Sequence, residues 1–322
     1  MRQIVTADIG GTHARFAIAM LDNGRVAEVG TPIVLRTNDY SSFEAAWDEF
    51  GRRCSVELPR DLAIAFAGPV RDDNPRLINS SWAVLPVQLR RTLGLDAVNI
   101  INDFGAVAHA VAALDANSFA HLCGPGGPLA SEGVITVIGP GTGLGVALLH
   151  RRADSSYEVI ETEGGHIGFA PADGVEDSML AELRAKFGRV SAERVVSGPG
   201  LLNIYEALGA AEQRPSAQRI DRELWTAALT GADSLAVAAL ERFCLCLGAV
   251  AGDLALAHGA SAVVIGGGIG QRLSDYLPSS GFSDRFTAKG RFKQQMAQTP
   301  VQLITHPEPG LFGAAAAFAR VS

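Results

Sequence analysis

The chain has 322 residues, 48% of them hydrophobic and 19% charged, enough apolar sequence for two domains with sizeable cores. Lys plus Arg number 27 against 34 Asp plus Glu, a formal charge of −7. That balance excludes nucleic acid as the main partner, because a phosphate backbone needs a basic face, yet it leaves open a nucleotide held by backbone amides and a metal. Four cysteines, Cys54, Cys123, Cys244 and Cys246, are too few and too scattered for a disulfide framework. Cys244 and Cys246 stand two apart in an apolar run, which on a helix sends them to different faces and makes core packing the expectation. Met1-Arg2-Gln3 runs straight into a strand pattern, so no secretory leader is expected and a reducing cytoplasm is the expected compartment. The apolar region Phe243 to Ile269 is broken by Asp253 and His258 and reads as a buried helix followed by a strand, with no membrane span.

In chain order, the first 35 residues predict three strands, about 3–9, 14–20 and 26–35. Asp22-Asn23-Gly24 is a hairpin turn between the last two. Between the first two lies Asp8-Ile9-Gly10-Gly11-Thr12-His13, a tight glycine turn. Two glycines let the backbone bend and bring its N–H groups close to an anion, and Asp8 at the strand end is placed to face a phosphate-bound metal. This is not a Walker loop, since no Gly-Lys-Ser/Thr and no helix follow. An ordinary hairpin with an Asp in its turn accounts for the same residues.

Ser41-Ser42-Phe43-Glu44 carries a capping serine and an acidic first turn, predicting a helix to about Arg53. Leu62 to Ala67 is a continuous apolar run and reads as a strand buried on both faces. Val98 to Ile101 is another, ending at Asn102-Asp103-Phe104-Gly105 before an alanine-rich helix from Ala106 to about Leu114. Ligands of α/β sheets sit at the carboxyl ends of strands, which is where Asn102 and Asp103 fall. Capping of the helix by Asp103 is the structural alternative.

Residues 115–133 read as loop. Val134 to Ile138 then predicts a strand, followed by Gly139-Pro140-Gly141-Thr142-Gly143-Leu144-Gly145 and a second apolar run, Val146 to Leu149. The opening unit is thus repeated about 130 residues on, too far for a solenoid and suited to two similar domains. Two such turns facing each other across a cleft would hold the phosphates of one nucleotide from both sides. After a strand from Tyr157 to Ile160 comes Glu161-Thr162-Glu163-Gly164-Gly165-His166-Ile167-Gly168. Carboxylates accept and His donates, so the cluster suits a polyhydroxylated ligand better than a metal, with a solvated loop as the alternative.

Helical periodicity follows over Asp177 to Lys186, closed by Gly188. Ser191-Ala192-Glu193-Arg194 reads as the start of a further helix, with Glu193 either a dipole-favoured carboxylate or a ligand contact. A long helix is expected from Ser234 to His258, with Gly248 and Gly252 at close contacts. Ala262 to Ile265 is a strand ending in a third glycine turn, Gly266-Gly267-Gly268, placed for close approach to an adenosine. The segment Phe282 to Met296, with Lys289, Arg291 and Lys293, reads as a solvated face. Val301 to Ile304 is the last strand, and Pro309-Gly310-Leu311-Phe312-Gly313 opens a final alanine helix expected to return to the first domain.

Taken together, Asp8-Ile9-Gly10-Gly11-Thr12, Asn102-Asp103-Phe104, Gly141-Thr142-Gly143-Leu144-Gly145, Glu163-Gly164-Gly165-His166, Ser191-Ala192-Glu193-Arg194 with Ser197-Gly198-Pro199-Gly200, and Gly266-Gly267-Gly268-Ile269 occur in one order along the whole chain. In this the sequence resembles the bacterial-type glucokinases of the hexokinase, Hsp70 and actin superfamily. The resemblance implies an α/β fold of two ribonuclease-H-like (actin/hexokinase-type) domains with an interdomain cleft. The small domain would comprise 1–112 plus 304–322 and the large domain 113–303. It implies ATP and Mg²⁺ as cofactors, D-glucose as acceptor, a cytoplasmic homodimer and the first step of glycolysis.

By the same resemblance Asp103 matches the catalytic Asp, and Asn102, Glu163, His166 and Glu193 match sugar-binding positions. Ala7, Asp8, Ile9, Gly10, Gly11 and Thr12 match the first phosphate segment, with Asp8 orienting the metal through water. Gly141, Thr142 and Gly143 match the second phosphate turn, and Gly266, Gly267 and Gly268 the adenosine turn. Three features depart from or only loosely fit the pattern. Position 13 is His13, where related chains often carry Asn; Ala67-Gly68-Pro69-Val70 and Asn79-Ser80-Ser81-Trp82 match loosely, and Asn79 is given no role. The rivals are a kinase for mannose or an N-acetyl sugar, a sugar-responsive regulator without catalysis, and an actin-like or chaperone ATPase.

Overall fold

Small and large side chains alternate along the strands, and this alternation decides which helices each sheet receives. A computed structural model of the protein describes residues 1–54, 56–68, 82, 84–213 and 221–321. The chain forms two compact units: Met1–Asp115 with Val159–Glu161 and His306–Ser322, and Ala116–Glu158 with Thr162–Thr305.

In the first unit the strands are β1 (Arg2–Ile9), β2 (His13–Asp22), β3 (Arg25–Val29), β4 (Ile33–Arg36), β5 (Asp61–Phe66) and β6 (Ala97–Asn102). They form one sheet in the order β3-β2-β1-β5-β6, with β4 also paired to β2. The β1–β2 hairpin is antiparallel, and β5 and β6 extend the sheet parallel to β1. Helices α1 (Phe43–Arg53), α2 (Pro86–Leu93) and α3 (Asp103–Ala113) connect the strands, and a C-terminal helix spans Pro309–Val321. Ser42 caps α1, its hydroxyl accepting from the Ala45 N–H.

Val5, Ala7, Ile9, Leu62, Ile64 and Phe66 share one face of the sheet with Phe43, Trp47, Phe50 and Leu89 of α1 and α2. Ile4, Ala63 and Ala65 face the other way, toward Ala106, Ala314, Ala315 and Phe318. Alanines on that face let α3 and the C-terminal helix approach closely. Thr6, fully buried there, donates its hydroxyl to the Leu311 carbonyl at 2.7 Å. A Cβ at Gly313 would collide with the Ala106 carbonyl oxygen.

The second unit repeats the plan. Its sheet is formed by β7 (Phe119–Cys123), β8 (Gly133–Pro140), β9 (Leu144–Arg151), β10 (Tyr157–Thr162, of which Val159–Glu161 fall in the first unit), β11 (Ala262–Ile265) and β12 (Val301–Ile304), in the order β10-β9-β8-β11-β12-β7. An antiparallel β8–β9 hairpin is extended by β11, parallel to β8, and by β12, parallel to β11. Its helices among the described residues are α4 (Gly174–Phe187), α5 (Gly198–Ala211), α6 (Asp221–Thr230), α7 (Ser234–His258), α8 (Gly267–Arg272), α9 (Phe282–Thr287) and α10 (Lys293–Ala297). By length and apolarity α7 would pass for a membrane span, but most of it is buried in this unit's core. Gly248 and Gly252 of α7 face the Phe282 and Phe286 carbonyls of α9, where a Cβ would not fit. Cys244 and Cys246 are both fully buried.

The elements depart from the sequence expectations at several points. The expected strand over 26–35 is divided into β3 and β4, because Gly30 turns its N–H to the Ile18 carbonyl at 2.9 Å and Pro32 cannot donate to a ladder. Residues 115–133 hold β7, a half-exposed edge strand antiparallel to β12, whose weak apolar pattern hides it. Ser191–Arg194 opens only a short 3₁₀ turn, Ala192–Arg194. Gly266-Gly267-Gly268 opens α8 rather than remaining a turn. Lys289 is not on a solvated face: it is 10% exposed and donates to Asp253 at 2.6 Å and to the Ala249 carbonyl at 2.8 Å. Pro69, Val70, Asn79, Ser80, Ser81 and 214–220 lie outside the described residues.

Replacing Gly313 by Val tests the alanine-face packing. The variant is expected to lose about 1–3 kcal/mol of stability through overpacking, read as a lower urea midpoint with an unchanged slope.

Candidate functional site

In the first unit the Gly10–Thr12 turn joins β1 to β2. Gly10 donates its N–H to the His13 carbonyl at 2.9 Å, closing the turn. Thr37 clamps it from outside, donating its N–H to the Thr12 carbonyl at 3.1 Å and its hydroxyl to the Gly10 carbonyl at 2.8 Å. Gly11 and Thr12 are exposed at the tip, and His13 is half-buried opposite Arg36. Ala7 and Ile9 are fully buried, with strand partners on both sides, so they place the turn and present no side chain to a ligand.

Asp8 is directly opposite Arg15 in the hairpin, with the guanidinium 3.9 Å from its carboxylate and 3.5 Å from Glu308. Burial pushes the Asp8 carboxyl up to about 6; Arg15 opposes the shift and Glu308 adds to it. Burial likewise raises Glu308, again opposed by Arg15. Gly310 packs against Asp8, where a Cβ would lie 2.7 Å from the carboxylate.

Asn102 closes β6 and caps α3. Its side-chain oxygen accepts from the N–H groups of Phe104 at 2.9 Å and Gly105 at 3.1 Å, and its amide nitrogen donates to the Gly68 carbonyl at 3.3 Å. The cap is therefore Asn102, while Asp103 is the first residue of the helix, half-buried at its N-terminus. The Asn102 backbone N–H donates to Glu161 Oε1 at 2.8 Å, a contact the sequence did not announce.

In the second unit four segments converge on the start of β9. The Gly141–Gly143 turn closes through the Gly141 N–H to the Gly143 carbonyl at 2.8 Å, and the Gly198 N–H donates to the Gly141 carbonyl at 2.7 Å. Glu193 reaches this turn: its Oε2 accepts from the Leu144 N–H at 3.0 Å, and a Cβ at Gly143 would lie 2.5 Å from that oxygen. Glu163 precedes a 3₁₀ turn, Gly164–His166, that lies against β9, with Gly165 facing the Leu144 carbonyl too closely for any side chain. The exposed side chains of Glu163 and His166 stand 3.9 Å apart, and Arg189 donates to the His166 carbonyl at 2.7 Å. Ala192 donates to the Ile167 carbonyl at 2.8 Å, joining this segment to the one that carries Glu193.

Beyond His166 the chain is anchored by a charge network built around the buried Glu176. Asp173, the α4 cap, and the fully buried Glu176 accept from Arg242 of α7 at 2.6 and 2.9 Å, and both pair with Arg285 of α9. Gly266 and Gly267 complete the cluster from β11. A Cβ at Gly139 would lie 2.5 Å from the Gly266 carbonyl carbon, and one at Gly267 2.5 Å from the Pro140 oxygen. Gly267 also has φ of +76°, which favours glycine. Gly268 is exposed.

Two sheets, each an antiparallel glycine-turn hairpin extended by parallel strands, define a two-domain fold of the actin and hexokinase type. The glucokinase family model matches residues 5–321. A glucokinase of Zymomonas mobilis is 56% identical over 318 residues, covering 99% of this chain and 98% of its own. One of Caulobacter vibrioides is 39% identical, covering 97% of this chain and 94% of its own. A glucokinase from an Antarctic psychrotroph superposes with a TM-score of 0.83 at 34% identity, covering 98% of each chain. A ROK family glucokinase from Streptomyces griseus, solved with glucose and AMPPNP, shares the fold at a TM-score of 0.67 and 19% identity, covering 99% of this chain and 100% of its own. The chain belongs to the glucokinase family.

The raised pKa of Asp8 fixes the sign of a pH effect. An acid whose folded pKa lies above its unfolded value contributes stability below about pH 4. That contribution is lost as the pH rises through about 6. Asp8→Asn, melted without nucleotide, is therefore expected to be more stable than the parent at pH 7.5. The gain is about 1–3 kcal/mol after allowance for the partly exposed carboxylate, and the two melting curves should converge near pH 4.

Proposed function

We propose that Asp103 is the general base of an ATP-dependent glucose 6-phosphorylation, the first step of glycolysis. The protein transfers the γ-phosphate of ATP to the 6-hydroxyl of D-glucose, giving glucose 6-phosphate and ADP. The observation that carries the assignment of the base is local. Asn102 caps α3 at the carboxyl end of β6, and Asp103 follows as the first helical residue, one of its carboxylate oxygens accepting from the Phe104 N–H at 2.9 Å. Asp103 accepts the 6-hydroxyl proton as that oxygen attacks the γ-phosphorus and the bond to the ADP oxygen breaks.

Glu163, His166 and Glu193 bind sugar hydroxyls in this reading. Glu193 does so through the carboxylate oxygen that is not held by Leu144. Asn102, with its side-chain oxygen occupied by the helix cap, offers the sugar an N–H of its amide. The exposed tips at Gly11–Thr12 and Gly141–Gly143 hold phosphates through backbone amides, and Gly266–Gly268 borders the adenosine. Positioning supplies roughly 7–11 kcal/mol of such a barrier and a general base about 10²–10⁴-fold, so the fixed turns contribute most.

Among the described residues no group of three or more His, Cys, Asp or Glu is assembled for a metal. One half-buried carboxylate, Asp8, suits Mg²⁺, which keeps much of its water and arrives with substrate phosphates rather than in a protein cage. Asp8 would hold that ion's water shell, and the ion supplies neutralisation of the phosphate charge. Family resemblance also supports a cytoplasmic homodimer, for which sedimentation should give twice the chain mass of 33.7 kDa.

Asp103→Ala is expected to lower kcat by at least about 10²-fold while ATP binding stays intact, measured by coupled ADP release and calorimetry. Near-normal kcat would remove the assignment. Glu163→Gln should raise the glucose KM with kcat less affected. Across a panel of hexoses and N-acetyl sugars, with ATP and polyphosphate as donors, D-glucose with ATP should give the highest kcat/KM.

A further inference from the structure

Glu161 lies two residues before Glu163 in sequence and belongs to the same compact unit as Asn102 and Asp103. Its Oε1 accepts the Asn102 backbone N–H at 2.8 Å. The same carboxylate lies over the first turn of α3. A Cβ at Gly105 would stand 2.6 Å from Oε1 and about as close to the rest of the carboxyl arm, at 3.0 and 3.2 Å. Asn102 is the last residue of β6 and, in extended conformation (φ −61°, ψ 148°), the cap of α3. The direction in which the chain leaves Asn102 sets where Asp103 begins the helix. A carboxylate at this N-terminus is also favoured by the helix dipole.

We infer that Glu161 is a positioning residue for phosphoryl transfer, holding the Asn102 amide so that Asp103 stands in its reactive orientation, and that residue 105 is glycine to admit its carboxylate. This rests on the reading of Asp103 as general base. The hydrogen bond fixes the strand-to-helix junction from outside the β6–α3 segment, because the acceptor comes from a different stretch of chain. Without it the Asn102 amide loses a charged acceptor and the junction can turn. Misplacement of a catalytic group by about 1 Å costs about 10²-fold in rate.

Gly105 provides a test that a purely structural role would fail. Alanine is a better helix residue than glycine, and the only atoms among the three nearest to its Cβ belong to the movable end of Glu161. Gly105→Ala should therefore keep or raise the melting temperature while pushing the carboxylate off the Asn102 amide.

The experiment compares E161A, E161Q, G105A, the E161A/G105A double variant and D103N by kcat, by KM for ATP and for glucose, and by melting temperature. E161A and G105A are each expected to lower kcat about 10- to 100-fold, with the ATP KM within roughly two-fold of the parent. The double variant should be no slower than the slower single one, since both changes break one contact. E161Q should recover most of the loss, because its amide oxygen accepts the same bond. Parental kcat in both E161A and G105A, or multiplicative losses in the double variant, overturns the role of Glu161. Parental kcat in D103N instead overturns the general base on which it rests.

Discussion

In each unit a carboxylate accepts a hydrogen bond from a backbone amide at the point where a turn must be rigid. Glu193 holds the Leu144 N–H beside the Gly141–Gly143 turn, and Glu161 holds the Asn102 N–H beside Asp103. Both bonds lie against a glycine, Gly143 or Gly105, whose missing side chain makes room for the carboxylate. A charged acceptor on a backbone donor is among the stronger hydrogen bonds a protein makes. It fixes main chain rather than a side chain. Phosphoryl transfer rewards this, because the protein's main contribution is to hold groups in line.

The sheets explain why such precision is available at these places. Each hairpin turn sits at the end of a central strand pair buried by helices, so its two stems cannot drift. In the first unit the alanine face brings α3 and the C-terminal helix close to the sheet, and α3 carries Asp103 at its first position. In the second unit the charge network of Asp173, Glu176, Arg242 and Arg285 ties the chain beyond His166 to α7 and α9. A partly buried network of this kind contributes little net stability but penalises any rearrangement that would leave the buried Glu176 unpaired. Fixing that segment fixes the loop it follows.

Much of this was legible in the sequence. Strand, glycine turn and strand at Asp8 and again at Gly141 announced the duplicated plan, because alternation and glycine pairs are local signals. The pairing of Asp8 with Arg15 was legible in principle, since a hairpin turning at Gly10–His13 places them opposite each other. Other features were not, for physical reasons. Asn102 and Asp103 have the same local propensity to cap, and only the helix geometry separates them. Glu193 and Leu144 are 49 residues apart, and Asn102 and Glu161 59, so no window of sequence contains either bond. Glycines 266–268 read as a turn because glycine disfavours helix, yet α8 forms because the backbone at its start packs on Gly139 and Pro140. Edge strand β7 escaped notice because a half-exposed strand has little apolar alternation to read.

Phosphoryl transfer to a sugar, as proposed, implies that ATP is turned over only when a sugar hydroxyl is present to receive the phosphate. The most direct measurement is steady-state ADP release with D-glucose, with 6-deoxyglucose and with no sugar. ADP and glucose 6-phosphate are expected in equal amounts with D-glucose, and ADP release with 6-deoxyglucose at the same low level as with no sugar. ADP release at a comparable rate in all three would contradict sugar-dependent turnover.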